Sequence, residues 1–341
     1  MKKSLMTLGV LALFVLMAYG QEKKFALYSV AFYNMENLFD TIHDEGKNDY
    51  EYLPNSTNQW NTMKYKAKLK NMSEILSLLS TDKLPMGPAI IGVSEIENYR
   101  VLEDILKQPA LADRGYQYVH YEGEDQRGVD CAFFYNPKLF ELTNSKLVPY
   151  VYINDTVHKT RGFLIASGNI AGEKMHFIVN HWPSRAAASP VRERAGEQVR
   201  AIKDSLLRED SAAKIVIMGD MNDDPMDKSM AVALGAKRKP ADVGPTDLYN
   251  PWWDTLKKGY GTLMYKGKWN LFDQIVFTGN LLGTDRSTLK FYKHEIFSRD
   301  FMFQKEGKYK GYPKRTQAGG VWLNGYSDHL PTIIYLIKEV K

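Results

Sequence analysis

The sequence predicts an α/β protein. Two observations carry this: after residue 21, short runs rich in β-branched and aromatic residues alternate with stretches whose apolar residues recur at helical spacing, and no long linker interrupts the alternation. The chain is also large enough, since 341 residues that are 44% hydrophobic can bury an extensive core, and residues 21–341 read as one domain. Six Trp, 21 Tyr and 15 Phe exclude a disordered or collagen-like chain.

The elements follow in order. Lys2 and Lys3 precede an apolar run from Leu5 to Met17, and Ala18-Tyr19-Gly20 places small residues three and one positions before a cut after Gly20. Residues 1–20 therefore read as a signal peptide, the run being shorter than the roughly 20 residues that span a bilayer. The mature chain is expected to be secreted or periplasmic. Phe25 to Phe32 has strand composition, and Tyr65, Leu69, Met72, Leu76 and Leu79 mark a helix. Ala89 to Val93 is a short buried strand, followed by a helix over Val101 to Leu106. Further strands are expected at Tyr116 to Tyr121, Val129 to Tyr135, Phe163 to Ser167, Met175 to Val179, Ile215 to Met218, Phe272 to Phe277 and Thr332 to Ile337. Ser189 and Pro190 suit a helix start, and Val191, Ala195, Val199, Ile202 and Leu206 form its apolar stripe.

Cys131 is the single cysteine, so no intramolecular disulfide or cysteine zinc site exists. Net charge is +5, and without Lys2 and Lys3 the remainder carries 43 basic against 40 acidic residues, a balance that suits nucleic acid without demanding it. Two basic runs offer tracks for a polyanion: Lys64, Lys66, Lys68 and Lys70, and Lys305, Lys308, Lys310, Lys314 and Arg315 with Tyr309 and Tyr312 interleaved. Tyr249, Trp252, Trp253 and Tyr260 form the aromatic cluster that a lipid substrate would need exposed.

Polar clusters stand directly behind several apolar runs, which places oxygen ligands and proton-transfer groups at strand ends. They are Asn34-Met35-Glu36-Asn37, Ser94-Glu95-Ile96-Glu97-Asn98, Asn180-His181-Trp182-Pro183-Ser184-Arg185, Gly219-Asp220-Met221-Asn222-Asp223-Asp224, Asp273-Gln274 and Ser327-Asp328-His329. Paired carboxylates suit a hard divalent cation, imidazole suits proton transfer near neutral pH, and guanidinium suits phosphate.

The order of these clusters resembles the endonuclease/exonuclease/phosphatase superfamily, which includes pancreatic deoxyribonuclease, apurinic-site endonucleases, bacterial sphingomyelinases and inositol-polyphosphate phosphatases. The resemblance runs from Ala31 to Leu336, and Gly219-Asp220-Met221-Asn222 and Ser327-Asp328-His329 are its most specific parts. It implies a four-layer α/β sandwich, two packed mixed sheets with helices outside and a cleft at one edge.

It also implies roles. Asn34, Glu95 and Asp328 are expected at the metal, and Asp220 with Asn222 as a catalytic pair. His329 with Asp273 is expected as a general-base dyad, with Asp220 as the alternative base. His181 is expected on the leaving-group side, although Asn180 and His181 are adjacent here where the family spaces them by one residue. Tyr135, Arg161 and Arg185 are candidates for substrate phosphate, and Asp130, in Arg127-Gly128-Val129-Asp130, reads as mainly structural. The cofactor expected is Mg2+, with Mn2+ or Ca2+ as alternatives. The expected activity is phosphoester hydrolysis by water in an in-line attack, with nucleic acid as substrate and no obligate protein partner. The alternatives are a phospholipid, sphingomyelin or inositol-phosphate hydrolase, and a non-catalytic member that binds a phosphorylated ligand.

Overall fold

The computed structural model describes residues 23–340; the leader, residues 1–20, lies outside them. Seventeen strands and four α-helices follow one another in the described residues. The first sheet is built from β1 (Lys24–Leu38), β2 (Ile90–Ile96), β3 (Gln117–His120), β4 (Asp130–Tyr135), β14 (Lys290–Ile296) and β17 (Thr332–Val340), in the order β14-β17-β1-β2-β4-β3. The second contains β5 (Phe140–Val148), β6 (Phe163–Ile170), β7 (Glu173–His181), β8 (Lys214–Asp220), β9 (Ala236–Lys237), β10 (Leu248–Tyr249) and β13 (Asp273–Thr278), in the order β5-β6-β7-β8-β13-β10-β9. Two short hairpins complete the set: β11 (Leu263–Tyr265) with β12 (Lys268–Asn270), and β15 (Gln317–Ala318) with β16 (Val321–Trp322).

Alternation along each strand decides which face goes where. In β1, Val30 and Phe32 turn to the inter-sheet core with Ile90, Phe133, Phe177, Val216, Met218 and Ile275, whereas Ala31 and Tyr33 turn outward. On that outer face lie α1 (Thr62–Leu78) and α2 (Tyr99–Leu106), which bring Leu69, Met72, Ile75, Leu76, Val101 and Ile105 to the sheet. The outer face of the second sheet packs Ile178, Ile215 and Ile217 on Ala195, Val199 and Leu206 of α3 (Ser189–Glu209). The short α4 (Trp253–Lys257) follows Trp252, which is buried between the sheets. The result is the four-layer sandwich of two mixed sheets with helices outside.

The two sheets repeat one device. Each has a parallel pair at its centre, β1 with β2 and β7 with β8, flanked by antiparallel neighbours. The carboxyl ends of both pairs lie at the same edge of the sandwich, and the start of β13 (Asp273 opposite Asp220) and the start of β17 (Thr332 opposite Phe32) come to that edge as well. The sheets are close there. A Cβ on Gly92 would stand 2.6 Å from Met218 Sδ of the opposite sheet, and one on Gly219 would stand 2.3 Å from the Asn180 carbonyl.

Every strand and helix expected from the sequence is present, and β5, β14 and the two hairpins are additions. β1 also runs six residues past Phe32. Its pairing with β2 slips between Asn34 and Leu38, where Glu36 and Asn37 take left-handed backbone conformations.

Candidate active site

Four side chains or turns at the sandwich edge sit on strained backbone. Glu36 (φ 46°), Asn37 (φ 53°), Glu95 (φ 60°) and Asn222 (φ 51°) are all left-handed, at roughly 1–2 kcal/mol each for residues with a Cβ. Such bulged strand ends turn neighbouring side chains into one space.

Asp220 occupies the centre. It is buried, and its two oxygens are held separately: Oδ2 accepts from Asn34 Nδ2 at 3.0 Å and Oδ1 from the Asn222 backbone N–H at 2.9 Å. Burial pushes its pKa up from 3.8 to about 7, with the His329 charge pulling the other way and Asp273 adding to the rise. His181 Nε2 and His329 Nε2 approach Asp220 Oδ2 to 3.7 and 3.9 Å from two sides.

His329 and Asp273 form the expected contact: Nδ1 and Oδ2 are 2.7 Å apart, both residues being buried. Burial opposes a charge on the imidazole, but Asp273 and Asp220 outweigh it and hold its pKa well above 6.5. His329 is thus an imidazolium at neutral pH. His181 is the reverse case, since burial first and then the charges of Arg161, Arg127 and His329 press it well below 6.5, and its buried Nδ1 has no partner.

Glu95 fixes one oxygen by accepting from the Asn37 N–H at 2.8 Å, while Oε1 lies 3.7 Å from His181 Nε2. Glu95, His181 and Asp220 each present a ligand atom within 4.8 Å of the others. Two carboxylates and a neutral imidazole are a donor set that fits a divalent cation. Asn34 also serves as a brace, since its Oδ1 takes the Glu36 N–H at 2.8 Å while Nδ2 holds Asp220. Asp328 stands at the site with Oδ1 4.0 Å from His329 Nε2, but its Oδ2 is paired with Arg315 Nη2 at 2.9 Å.

Several expected phosphate contacts are placed otherwise. Tyr135 pairs with Ile90 at the start of β2, so it lies at the opposite end of the sheet from Glu95, and its hydroxyl donates to Gln117 Oε1. Arg161 is buried, with Nη1 on Asp125 Oδ2 and Nη2 on the Trp182 carbonyl, and acts as a prop behind the His181 loop. Arg185 is engaged by the Asn222 carbonyl, Asp223, Asp224 and Asp227 and lies over the Phe272 ring at 4.4 Å. Neither guanidinium faces phosphate freely. Asn222 spends its side chain on the Trp182 carbonyl at 2.9 Å and touches Asp220 only through its backbone. Asp130 holds the Gly123 N–H and His120, consistent with its structural reading.

The basic run on α1 also differs from the expectation. Successive Lys at every second helical position turn by about 200° and share no face, and Lys68 is wholly buried, donating to Thr316 Oγ1 and to the Tyr326 carbonyl. Sequence reasoning missed the two residues that Lys68 serves. Glu36, buried, accepts from Arg315 Nε at 2.8 Å and from the Thr316 N–H at 2.7 Å, with Lys68 Nζ at 3.7 Å. The available signal was the spacing: Glu36 stands two residues after Asn34 on a strand end, and so shares its face. Trp252 and Tyr249 pack in the inter-sheet core, so the aromatic cluster supplies no exposed apolar hairpin.

No curated protein sequence matches the chain. Solved structures do match in fold. A Bacteroides thetaiotaomicron endonuclease/exonuclease/phosphatase family protein has a TM-score of 0.58 at 14% identity over 93% of this chain and 97% of that one. The mannosyl-6-phosphatase of the same organism gives 0.56 at 14% identity over 91% and 99%. D. rerio TDP2 complexed with a single strand DNA product gives 0.53 at 15% identity over 91% and 99%. The sequence profile of the Endonuclease/Exonuclease/phosphatase family matches residues 29–338, nearly the whole chain, and the chain therefore belongs to that family of phosphoester hydrolases.

Proposed function

We propose that the chain is a metal-dependent phosphodiesterase that cleaves nucleic acid, with unpaired strand as its preferred substrate. The rim of the cleft supports this reading. The β11–β12 hairpin leaves the site at Leu263, which bridges to His329, and carries Tyr265, Lys266 and Lys268 exposed at its tip. Beside it, the segment ending at Arg315 carries Lys305, Lys308, Tyr309 and Lys310, all exposed. Tyr312 ties the two together by accepting the Gly267 N–H at 2.6 Å. Exposed lysines with interleaved tyrosine faces match a phosphate backbone with unstacked bases, a ligand longer than a small phosphomonoester.

Enzymes of this family depend on a divalent metal. Glu95 and Asp220, with His181 beside them, would hold the cation, Mg2+ being the best match to hard oxygen ligands, and when bound it supplies charge neutralisation at the phosphate and at the leaving oxygen. Asp220 takes the proton of the attacking water, a task suited to a carboxylate whose pKa lies near 7. Asn34 and the Asn222 N–H hold its oxygens in place. His329, kept protonated and oriented by Asp273, donates from Nε2 to a phosphoryl oxygen, so the dyad works as a charged donor and leaves the base role to Asp220. Neutral His181 faces the same space from β7.

The test is a panel of single- and double-stranded oligonucleotides, mannose 6-phosphate, sphingomyelin vesicles and bis(p-nitrophenyl) phosphate, each with Mg2+ or chelator. Metal-dependent cleavage of single strands, falling with salt, is expected. Replacing Lys305, Lys308 and Lys310 by Gln should lower the slope of log activity against log salt by about 2, at about 0.7 per lost phosphate contact, and leave the small diester unaffected. Hydrolysis of a monoester or lipid without oligonucleotide cleavage overturns the reading.

A further inference from the structure

Behind Glu95 lies a chain of alternating charges that the mechanism does not use. Lys68, with no exposed surface, reaches Glu36 Oε2 at 3.7 Å; Glu36 takes Arg315 Nε at 2.8 Å; Arg315 Nη2 reaches Asp328 Oδ2 at 2.9 Å. Three segments far apart in sequence meet here: α1, the bulge at the end of β1, and the stretch just before the last strand. Glu95 contributes to the field on both Lys68 and Arg315. The cleft thus contains five carboxylates, Glu36, Glu95, Asp220, Asp273 and Asp328, and three internal cations, Lys68, Arg315 and the His329 imidazolium.

We propose that Arg315 is a built-in cation that bridges Glu36 and Asp328 and so limits this cleft to one divalent ion, held on the Glu95 side. The inference rests on the metal-dependent reading above. Five negative charges against three positive leave two, which one divalent ion balances. A second ion between Glu36 and Asp328 would have to displace a guanidinium bonded to both, in a place where Lys68 already sits behind one of them. Arg315 is in this sense a positioning residue: it holds Asp328 at a fixed distance from His329 and keeps the Glu36 bulge, which shapes the strand end bearing Asn34, from opening.

Metal binding can be read without turnover. Titrating Mn2+ into the metal-stripped protein, by calorimetry and by paramagnetic resonance of bound ion, should give one ion per chain. Glu95→Gln should abolish that binding, and Arg315→Lys should keep one ion per chain. Arg315→Met, which unmasks Glu36 and Asp328, should bind two, and adding Glu36→Gln to it should restore one. Two ions in the wild-type protein overturn the inference whatever the variants do, as does a single ion in a folded Arg315→Met protein. No bound Mn2+ in the wild-type protein would instead fail the metal-dependent reading itself.

Discussion

Replacing Asp220 by Asn should change stability in opposite directions at acid and alkaline pH while removing activity. The folded-state pKa of about 7 lies about three units above the 3.8 of an unperturbed Asp. A carboxyl raised in the folded protein contributes stability that is complete below pH 3.8 and is lost as pH rises through 7. Ionising Asp220 therefore costs the metal-free fold on the order of 4 kcal/mol by pH 8.5, at 1.36 kcal/mol per unit. Asn never ionises and escapes this cost. It has its own, because Asn34 Nδ2 and the Asn222 N–H both donate to residue 220, and an amide nitrogen there leaves one donor facing another. That mismatch costs about 1–3 kcal/mol at any pH. Asp220→Asn should then be less stable than wild type by about 1–3 kcal/mol at pH 4.5 and more stable by a similar amount at pH 8.5. Urea unfolding in chelator at both values measures it. The same substitution should lower turnover at least roughly 100-fold as the loss of a general base, while wild-type activity rises with pH through 7. A stability difference that does not move with pH would refute the elevated pKa, and a folded, active Asp220→Asn enzyme would remove Asp220 from proton transfer.

His329→Ala and Asp273→Asn should each reduce turnover, the first by at least roughly 100-fold, and the double variant should lose much less than the product of the two, because the 2.7 Å contact between them can be broken only once. Independent, multiplicative losses would separate the two residues. The leader at residues 1–20 is expected to be removed on export, so mass spectrometry of protein recovered outside the cytoplasm should find Gln21 at the amino terminus; recovery of chain beginning at Met1 would contradict this.

How far the sequence disclosed this molecule depended on what each signal measures. Strands buried on both faces, such as Ile215 to Met218, read plainly because nothing polar interrupts them. β5 and β14 did not, because they are the outermost strands of their sheets and carry Glu141, Lys146, Lys290, Lys293 and Glu295 on half-exposed positions. The site was legible where a polar group ends a buried strand, as at Asn34, Glu95, Asp220, Asp273 and His329, since those ends converge at one edge. Tyr135 has the same local look, but β4 runs antiparallel to β2 and carries its end to the other side of the sheet. Direction of pairing is a long-range property that a run of apolar residues does not encode. Arg161 and Arg185 were obscured in another way, because the acids that occupy them, Asp125 and Asp227, come from loops.

The bare backbone at Gly92 carries a consequence of its own. Asn34 belongs to one sheet and Asp220 to the other, and the 3.0 Å bond between them spans the gap that Gly92 and Met218 set. The working dimension of the catalytic centre is therefore an inter-layer spacing, held by core packing some distance from any reacting group. A single methyl at position 92, in a core already filled by Met218 and Val179, has to be accommodated by the layers themselves. Chemistry and packing are read out on the same ruler here: a change too small to unfold the sandwich is large on the scale of a hydrogen bond, and tolerance to mutation in the interior is bounded by alignment across the seam sooner than by stability.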